Sequence, residues 1–297
     1  MIELRLSIED ALAEALEAWF CEELQQSWVL YRKNPRESFE LRGYFEDKGT
    51  ADQSLSDLKR QFPDLANSNP VESGLDDQDW KMAYRHHLKP WAVGHLHWIP
   101  EWEQATFQKE EGHLYLYLDS GMAFGTGSHE TTRLCVEALY RHYQKRGGPD
   151  GQAVIDAGCG SGILAMSASL LGYSPVYAFD RDPEAVRVTF ENVDSNGMRG
   201  AVEVGHAGLE DGLAGRKAPV IMANIQADVL AIYAEDIVSA WNPDKGVLIL
   251  SGILHGEEHK ILEVFGGLLA MTHESRHFSG SVHVMGEWVS VCYETHE

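Results

Sequence analysis

The sequence has few cysteines and no arrangement of them that is typical of a metal site. They are Cys21, Cys135, Cys159 and Cys292. All four are far apart and none forms a C-x-x-C pair, so neither a zinc site nor a disulfide framework is predicted, and we expect reduced, buried thiols. His255 and His259 are four residues apart, but no third ligand is evident. We therefore expect no metal site.

Basic residues are also scarce. The chain has 24 Lys and Arg against 46 Asp and Glu, a formal net charge of -22 at pH 7, and no cluster of more than two neighbouring basic residues. Nucleic-acid-binding surfaces usually carry a basic patch, so direct binding of nucleic acid is not expected. A strongly acidic surface would instead attract a basic partner, although it is equally explained by solubility alone.

Long apolar runs are missing as well. No stretch approaches the roughly 18 apolar residues that a membrane-spanning helix needs, and the N-terminus is acidic and alternating rather than basic and then apolar. We expect a cytoplasmic protein that does not enter a membrane and acts as a monomer. With 297 residues, 44% of them hydrophobic, the chain is long enough for two domains.

The first 75 residues have the pattern of a small α+β domain. Three stretches alternate or are apolar as strands are, namely Ile2–Ile8, Ser27–Arg32 and Phe39–Phe45. Helical spacing follows the first of them, from Leu12 to Phe20, and the third, from Leu55 to Phe62. This order predicts a ferredoxin-like domain over residues 1–75, whose last strand is weak in the polar stretch 67–74.

Residues 76–115 are rich in aromatic side chains. The tryptophans are Trp80, Trp91, Trp98 and Trp102. Such a density of large rings must be packed against something. We interpret this segment as a connector that consists of a helix and then a strand near His95–Ile99.

Residues 116–297 alternate between strand and helix patterns. The strand patterns are Val154–Ala157, Val176–Asp180, Val202–Gly205, Val220–Ala223 and Val247–Ser251. Helical patterns between most of them predict a doubly wound, Rossmann-like α/β domain with a mainly parallel sheet covered on both faces. A closing pair near 277–278 and 288–293 has no long helix between its members. It predicts an antiparallel edge hairpin, which brings the sheet to seven strands.

A glycine-rich turn follows the first of these strands, at Gly158, Gly160 and Gly162. Ligands of open α/β sheets bind at such strand ends, and glycine allows close approach to the backbone. By itself the loop fits a dinucleotide or S-adenosylmethionine (SAM). The dinucleotide motif G-x-G-x-x-G would need glycine where Ile163 stands, so binding of a dinucleotide is less well supported.

Polar residues end the next strands. Asp180 is placed to accept hydrogen bonds from both hydroxyls of a ribose. Asp182 precedes Pro183, which is typical of a helix N-cap, so a cap and a cofactor contact are both open for it. Asn224 could accept a hydrogen bond from an amine while it donates to a cofactor, or it could serve turn geometry alone.

The sequence resembles the PrmA methyltransferases, a family that trimethylates the large-subunit ribosomal protein L-eleven. The resemblance covers most of the chain from about residue 76. It is carried by D-Q-D-W at 77–80, K-P at 89–90, I-P-E-W at 99–102, G-M-A-F-G-T-G-S-H-E-T-T at 121–132, D-A-G-C-G-S-G at 156–162, D-R-D-P at 180–183, A-N-I at 223–225 and S-G-I-L at 251–254. The block at 121–132 is far more specific than a glycine loop alone.

The resemblance implies the fold of a class I SAM-dependent methyltransferase, and it implies the site. The residues expected to bind SAM are Thr132, Gly158, Gly160, Asp180, Asn224 and Phe124, with Phe124 and His129 in a loop over the cofactor. Asn224 is also the candidate catalytic residue, in an orienting role. The chain departs from the family at Ser120 and Glu130, where proline is common, and at Gln226, where leucine is common. These departures put the shape of the target pocket in doubt.

The expected function is methyl transfer from SAM to lysine or other amino groups of a basic ribosomal protein. Residues 1–75 would recognise the substrate, 76–115 would connect, and 116–297 would hold SAM. The first part matches the family only in its order of elements, so methylation of another protein or of a small molecule stays open. A non-catalytic SAM-binding protein and a dinucleotide oxidoreductase stay open as well.

Overall fold

The computed structural model describes residues 2–9, 12–13, 16, 28–32, 39–45, 47–66, 68–74, 89–119, 129–272 and 278–295. The chain divides into two units, Met1–His87 and Leu88–Glu297. The predicted boundary after residue 75 and the predicted connector helix fall on residues 75–88, outside the described residues, and stay predictions. No helix in the described part of the chain is long and apolar enough to cross a membrane.

The first unit is a four-stranded antiparallel sheet with helical residues beside it. Its strands are β1 (Ile2–Ile8), β2 (Trp28–Tyr31), β3 (Phe39–Phe45) and β4 (Val71–Gly74), in the order β2-β3-β1-β4. Residues 12, 13 and 16 are helical, and helix α1 (Lys48–Gln61) begins after Asp47, whose side chain accepts from the Thr50 amide. The predicted ferredoxin-like order is confirmed, including its weak last strand, which is a short edge strand.

Alternation explains the core of this unit. Every second residue of β1 and β3 points to the helical side, because side chains in a strand alternate between faces. The buried set includes Leu4, Leu6, Leu16, Leu41 and Leu58. The facing sides of sheet and helices therefore bury one apolar cluster.

The second unit begins with a three-stranded sheet of β5 (Trp91–Val93), β6 (Leu96–Pro100) and β7 (Leu114–Leu118). Strand β5 pairs antiparallel with β6, and β7 pairs parallel with β6. The ring of Trp91 stacks on that of Trp98, with centroids 3.9 Å apart. The indole of Trp98 donates to Ser167 at 3.0 Å, so one face of this sheet packs on the rest of the unit. Strand β6 is the one predicted near His95–Ile99, and β5 was missed.

The seven-stranded sheet follows. Its strands are β8 (Val154–Ala157), β9 (Val176–Asp180), β10 (Val202–His206), β11 (Val220–Asn224), β12 (Val247–Leu254), β13 (Phe278–Met285) and β14 (Trp288–Thr295). Their order is β10-β9-β8-β11-β12-β14-β13. Strands β8 to β12 are parallel, and β14 pairs antiparallel with both β12 and β13. The predicted sheet and its closing hairpin are confirmed.

Helices cover both faces of this sheet. They are α2 (Glu130–Arg146), α3 (Ile163–Leu170), α4 (Pro183–Ser195), α5 (Leu209–Leu213), α6 (Ala227–Ile232), α7 (Ala234–Ala240) and α8 (Glu258–Thr272). Strand β11 shows the consequence, because Val220 and Met222 belong to one apolar core while Ile221 and Ala223 belong to the other. A central strand that is buried on both faces has a continuous apolar run. The carboxyl ends of β8, β9, β11 and β12 lie at one edge, where the polar candidates stand.

Candidate cofactor and catalytic site

The glycine loop after β8 adopts a backbone that favours glycine. Gly158, Gly160 and Gly162 have φ angles of +79°, +54° and +79°. A Cβ on Gly158 would lie 2.7 Å from Cγ2 of Ile225, and one on Gly162 would lie 2.7 Å from Cγ2 of Thr189. All three glycines therefore suit the turn, and Gly158 and Gly162 are also required by their protein neighbours, in addition to the ligand approach inferred from the sequence.

Asp180, at the end of β9, holds this loop. Its Oδ2 accepts a hydrogen bond from the Gly160 amide at 3.0 Å, and its Oδ1 accepts one from the Asp182 amide at 3.0 Å. A carboxylate offers about four lone-pair positions, so roughly two are left for a ligand. The partly exposed Asp180 can thus keep its loop contacts and still accept from ribose hydroxyls.

Helix α4 holds the same loop from its other side. The Thr189 hydroxyl donates to the Gly160 carbonyl at 2.8 Å, and the Asn192 amide donates to the Ser161 carbonyl at 2.9 Å. Both side chains are buried. Sequence reasoning missed them, although polar residues on the apolar face of a helix are a signal for such contacts.

Asp182 is a cap in this structure. Its side chain accepts from the Glu184 amide at 2.9 Å at the start of α4, where Pro183 takes the first helical position. Of the two interpretations left open by the sequence, the cap is the one that the geometry supports.

Asp156 lies fully buried inside β8, next to the loop. Its Oδ2 accepts from the Ala165 amide at 2.9 Å, while its Oδ1 has no hydrogen-bond partner. Burial raises the pKa of Asp156 to about 7, and the negative charge of Asp180 adds to this. The carboxyl anchors the first turn of α3 through its hydrogen bond with the Ala165 amide.

Asn224 stands at the end of β11, opposite the first turn of α2. Its Nδ2 lies 3.4 Å from Oγ1 of Thr132, and its Oδ1 is buried without a hydrogen-bond partner. The Ser251 hydroxyl at the neighbouring end of β12 donates to the Thr131 carbonyl at 3.1 Å. A buried acceptor without a partner is costly, so this oxygen is a candidate ligand contact.

His129 closes the start of α2. Its Nδ1 lies 2.8 Å from Oγ1 of Thr131, and its ring meets that of Trp288 edge to face, with centroids 5.0 Å apart. Phe124, with the rest of residues 120–128, lies outside the described residues, so its place over the cofactor stays a prediction. Glu130 is the first residue of α2, and Gln226 precedes α6.

The described candidates gather at one edge of the sheet. Asp180 binds the Gly160 amide, Asn224 meets Thr132, and Gly158 faces Ile225, the neighbour of Asn224. This arrangement fits SAM, because it offers a carboxylate with spare acceptor positions, a close-approach loop and a buried amide oxygen that lacks a partner. The assignment of each residue to the cofactor stays a prediction.

Comparison with known proteins covers nearly the whole chain. The sequence model of the family described as "Ribosomal protein L11 methyltransferase (PrmA)" matches residues 5–295. A protein of that name from Geobacter sp. (strain M21) is 40% identical over 219 residues, which are 73% of this chain and 70% of that protein. Another from Exiguobacterium sp. (strain ATCC BAA-1283 / AT1b) is 34% identical over 264 residues, 86% of this chain and 80% of that protein.

A solved structure is similar as well. The crystal structure of a ribosomal protein L11 methylase from Lactobacillus delbrueckii subsp. bulgaricus superposes with a TM-score of 0.57 at 29% identity. The match covers 69% of this chain and 97% of that one.

Proposed function

The chain belongs to the family of ribosomal protein L11 methyltransferases (PrmA), and from this premise we propose that it methylates amino groups of ribosomal protein L11. It is a SAM-dependent protein methyltransferase with the class I fold. The observation that carries the proposal is the partnerless Oδ1 of Asn224, a buried acceptor at the sheet edge where the glycine loop lies. An amine donor is a group that this oxygen could satisfy.

The residues that would hold SAM are those of the loop and its supports. Asp180 would accept from the ribose hydroxyls, the loop from Gly158 to Gly162 would lie against the ligand, and Thr132 would line the opposite side. When bound, SAM supplies a methyl group on a sulfonium that a nucleophile can displace. The protein's part is to place the acceptor in line with that bond, and positioning can provide much of the acceleration.

The acceptor amine must present a lone pair. A lysine with a pKa of about 10.4 is protonated at neutral pH, and using its neutral form at pH 7.4 costs roughly 4 kcal/mol. A desolvated site lowers the pKa of the amine and reduces this cost. Asn224 would accept a hydrogen bond from the amine and fix its direction, because an amide oxygen is a poor base at this pH. Its role is orientation.

We assign substrate recognition to residues 1–75. The second unit contains a complete sheet and all of the described cofactor candidates, so the first unit is not needed for the chemistry. The net charge of -22 suits a basic protein substrate and disfavours direct contact with RNA. We further propose that the protein is monomeric and works in the cytoplasm.

The test is methylation of purified ribosomal protein L11 by the full-length protein with labelled SAM, followed by mass spectrometry of the product. We expect incorporation on amino groups, lost or strongly reduced with the Asp180→Ala variant. If L11 stays unmethylated while another protein in a mixture of ribosomal proteins is modified, the chemistry stands and the proposed substrate is wrong.

The role of the first unit needs a separate measurement. Residues 88–297 alone should bind SAM about as well as the full chain, yet methylate L11 with a much lower kcat/KM, because remote binding energy holds the amine at the reacting centre. Undiminished kcat/KM in the shortened protein would move recognition to the second unit.

A further inference from the structure

One face of the three-stranded sheet is turned away from the core and carries tyrosines. In the pairing of β6 with β7, Leu116 faces inward with Trp98, and both are buried. Tyr115 and Tyr117 alternate with Leu116 and therefore lie on the other face. The ring of His97 on β6 stacks on that of Tyr115, and residues 101–113, which join β6 to β7, supply Phe107 and Lys109 beside these rings.

Lys109 covers the two tyrosines with its ammonium group. Its Nζ lies 5.0 Å from the ring centroid of Tyr117 and 5.6 Å from that of Tyr115. Both distances fall within the range in which a cation is attracted to an aromatic face. The side chain of Lys109 is itself exposed, so water can take over its charge if it moves away.

The backbone beside Lys109 is fixed independently of that contact. The Tyr115 hydroxyl accepts a hydrogen bond from the Glu110 amide at 2.6 Å and donates to the Glu110 carbonyl at 3.3 Å. The turn would therefore keep its place if the Lys109 side chain swung out. What would change is the access to the rings.

Tyr117 provides a second and independent observation. Only 8% of this residue is exposed, and its hydroxyl is buried without a hydrogen-bond partner. Buried hydroxyls in folded proteins nearly always have a partner, so this one is explained if a ligand completes the site.

The surroundings are acidic. Residues 101–113 contain four glutamates and a single lysine, Lys109 itself, and no arginine. The glutamates are Glu101, Glu103, Glu110 and Glu111. A positive group approaching these rings would meet a negative local field, and Lys109 is the one lysine that this segment supplies to them.

We propose that Tyr115 and Tyr117 form a cation-binding site for a lysine or arginine side chain of the basic protein substrate, and that Lys109 occupies it while the substrate is absent. The proposal rests on the proposed function, because it assigns part of substrate binding to this surface. Exchange of one cation for another keeps the rings covered in both states. The site would contribute to KM for the protein substrate and leave the affinity for SAM unchanged.

The first test measures KM for ribosomal protein L11 at saturating SAM. Lys109→Met should lower KM about two- to fivefold, which is the range of a single cation–π contact at an exposed site. Lys217→Met is the matched control, because it makes the same change in charge just before β11. The Lys217 ammonium donates to the Ser239 carbonyl there. This variant should leave KM within about twofold. If the two variants lowered KM equally, the effect would come from net charge alone, and the proposed cation site would be wrong.

The rings are tested by a double-mutant cycle. In the Lys109→Met protein, Tyr117→Leu should raise KM about two- to fivefold, because the substrate cation loses this ring. In the unaltered protein the same substitution should change KM by less than about twofold, because the ring holds a cation in both states. Tyr117→Phe keeps the ring and, in the Lys109→Met protein, should raise KM less than Tyr117→Leu. A full Lys109→Met effect in the Tyr117→Leu protein, or identical KM values for the leucine and phenylalanine variants of the Lys109→Met protein, would contradict the cation site. Circular dichroism shows that each variant is folded.

Binding of a synthetic oligolysine, measured by calorimetry, makes the two proposals separable. Lys109→Met should bind it about two- to fivefold more tightly than Lys217→Met does. If the unaltered protein fails to methylate L11 but this contrast is present, the proposed function fails and the cation site stands. If L11 is methylated and the two variants bind oligolysine and L11 equally, the cation site is wrong and the proposed function stands.

Discussion

The described SAM candidates lie at one edge of the sheet, which we call the cofactor edge. Its two sides differ in how fully their polar groups are hydrogen-bonded within the protein. On the β9 side, Asp180 and Thr189 engage the amide and the carbonyl of Gly160 at 3.0 and 2.8 Å. On the β11 side, Asn224 has one long contact of 3.4 Å to Thr132 and an oxygen with no partner. A fully bonded loop is rigid before any ligand arrives, whereas an unpaired buried acceptor gains most when a ligand pairs with it. We infer that the first side serves binding and the second serves the reaction.

The largest expected effect is on the β9 side. Asp180→Ala removes the acceptor expected for two ribose hydroxyls and should weaken SAM binding by about 1 to 3 kcal/mol in calorimetry. Asp182→Ala is the control, because it removes a nearby carboxylate that caps α4. It should lower the free energy of unfolding by about 1 kcal/mol and leave SAM affinity nearly unchanged. An equal loss of SAM affinity in both variants would contradict the assignment of Asp180 to SAM binding and of Asp182 to the helix cap alone.

The second prediction concerns the β11 side, where the Asn224 oxygen has no partner. Asn224→Ala should lower kcat by about tenfold to a hundredfold, because misplacement of the acceptor raises the barrier to transfer. The accompanying loss of SAM affinity should be smaller than the loss of kcat. Steady-state kinetics and calorimetry on the same protein give the two numbers. Ser251→Ala, which removes a neighbouring hydroxyl that bonds the Thr131 carbonyl, is the matched control and should retain most of kcat. A SAM affinity reduced more than kcat would reverse the assignment of the two sides.

Sequence reasoning predicted the sheet because its strands have clear local signals. The runs Val154–Ala157 and Val176–Asp180 are mostly apolar; the first is followed by a glycine and the second ends at an aspartate, and both match the observed bounds of β8 and β9. Strand β5 was missed because three residues are too few for a periodic pattern. The cap at Asp182 could be predicted from the following proline, since both groups of that contact are close in sequence.

Contacts across long separations could not be predicted in the same way. Thr189 meets Gly160 across 29 residues, and Asn224 meets Thr132 across 92. No local pattern specifies which helix face reaches which loop, because this depends on how α4 packs on the sheet. The candidates from the sequence were therefore residue types at strand ends, while their hydrogen bonds, and the missing partner of Asn224, required the three-dimensional structure.

The third prediction weakens the β9 side at Thr189, a residue that is not itself a proposed SAM contact. Thr189→Val keeps the shape of the side chain but leaves the Gly160 carbonyl without its donor, and it should lower the free energy of unfolding by about 1 to 2 kcal/mol. SAM affinity should fall only about two- to threefold, through greater freedom of the loop. Thr189→Ser restores the hydroxyl and should recover the affinity. Chemical denaturation and calorimetry measure the two quantities, and unchanged stability in the valine variant would mean that the loop does not depend on α4.

The smallest effect should come from a charged cluster at the other end of the sheet, where stability can change while the cofactor edge does not. Glu294 on β14 lies 3.3 Å from the buried His142 and 2.5 Å from Lys145, both on α2. The hydrogen bond with His142, followed by that with Lys145, lowers the pKa of Glu294 to about 2, although burial opposes it. A carboxyl whose pKa is lower in the folded state stabilises the protein fully above its unfolded pKa of about 4.3, and this contribution is lost as the pH falls towards 2. Lys145 is largely exposed, so solvent screening limits the gain in stability to about 1 kcal/mol.

The free energies of unfolding of the unaltered protein and of Glu294→Gln should therefore differ by about 1 kcal/mol at pH 7 and by progressively less below pH 4. SAM affinity at pH 7 should be the same in both. A stability difference that does not change with pH would show that the substitution acts through packing, and a reduced SAM affinity would show that this cluster is coupled to the cofactor edge.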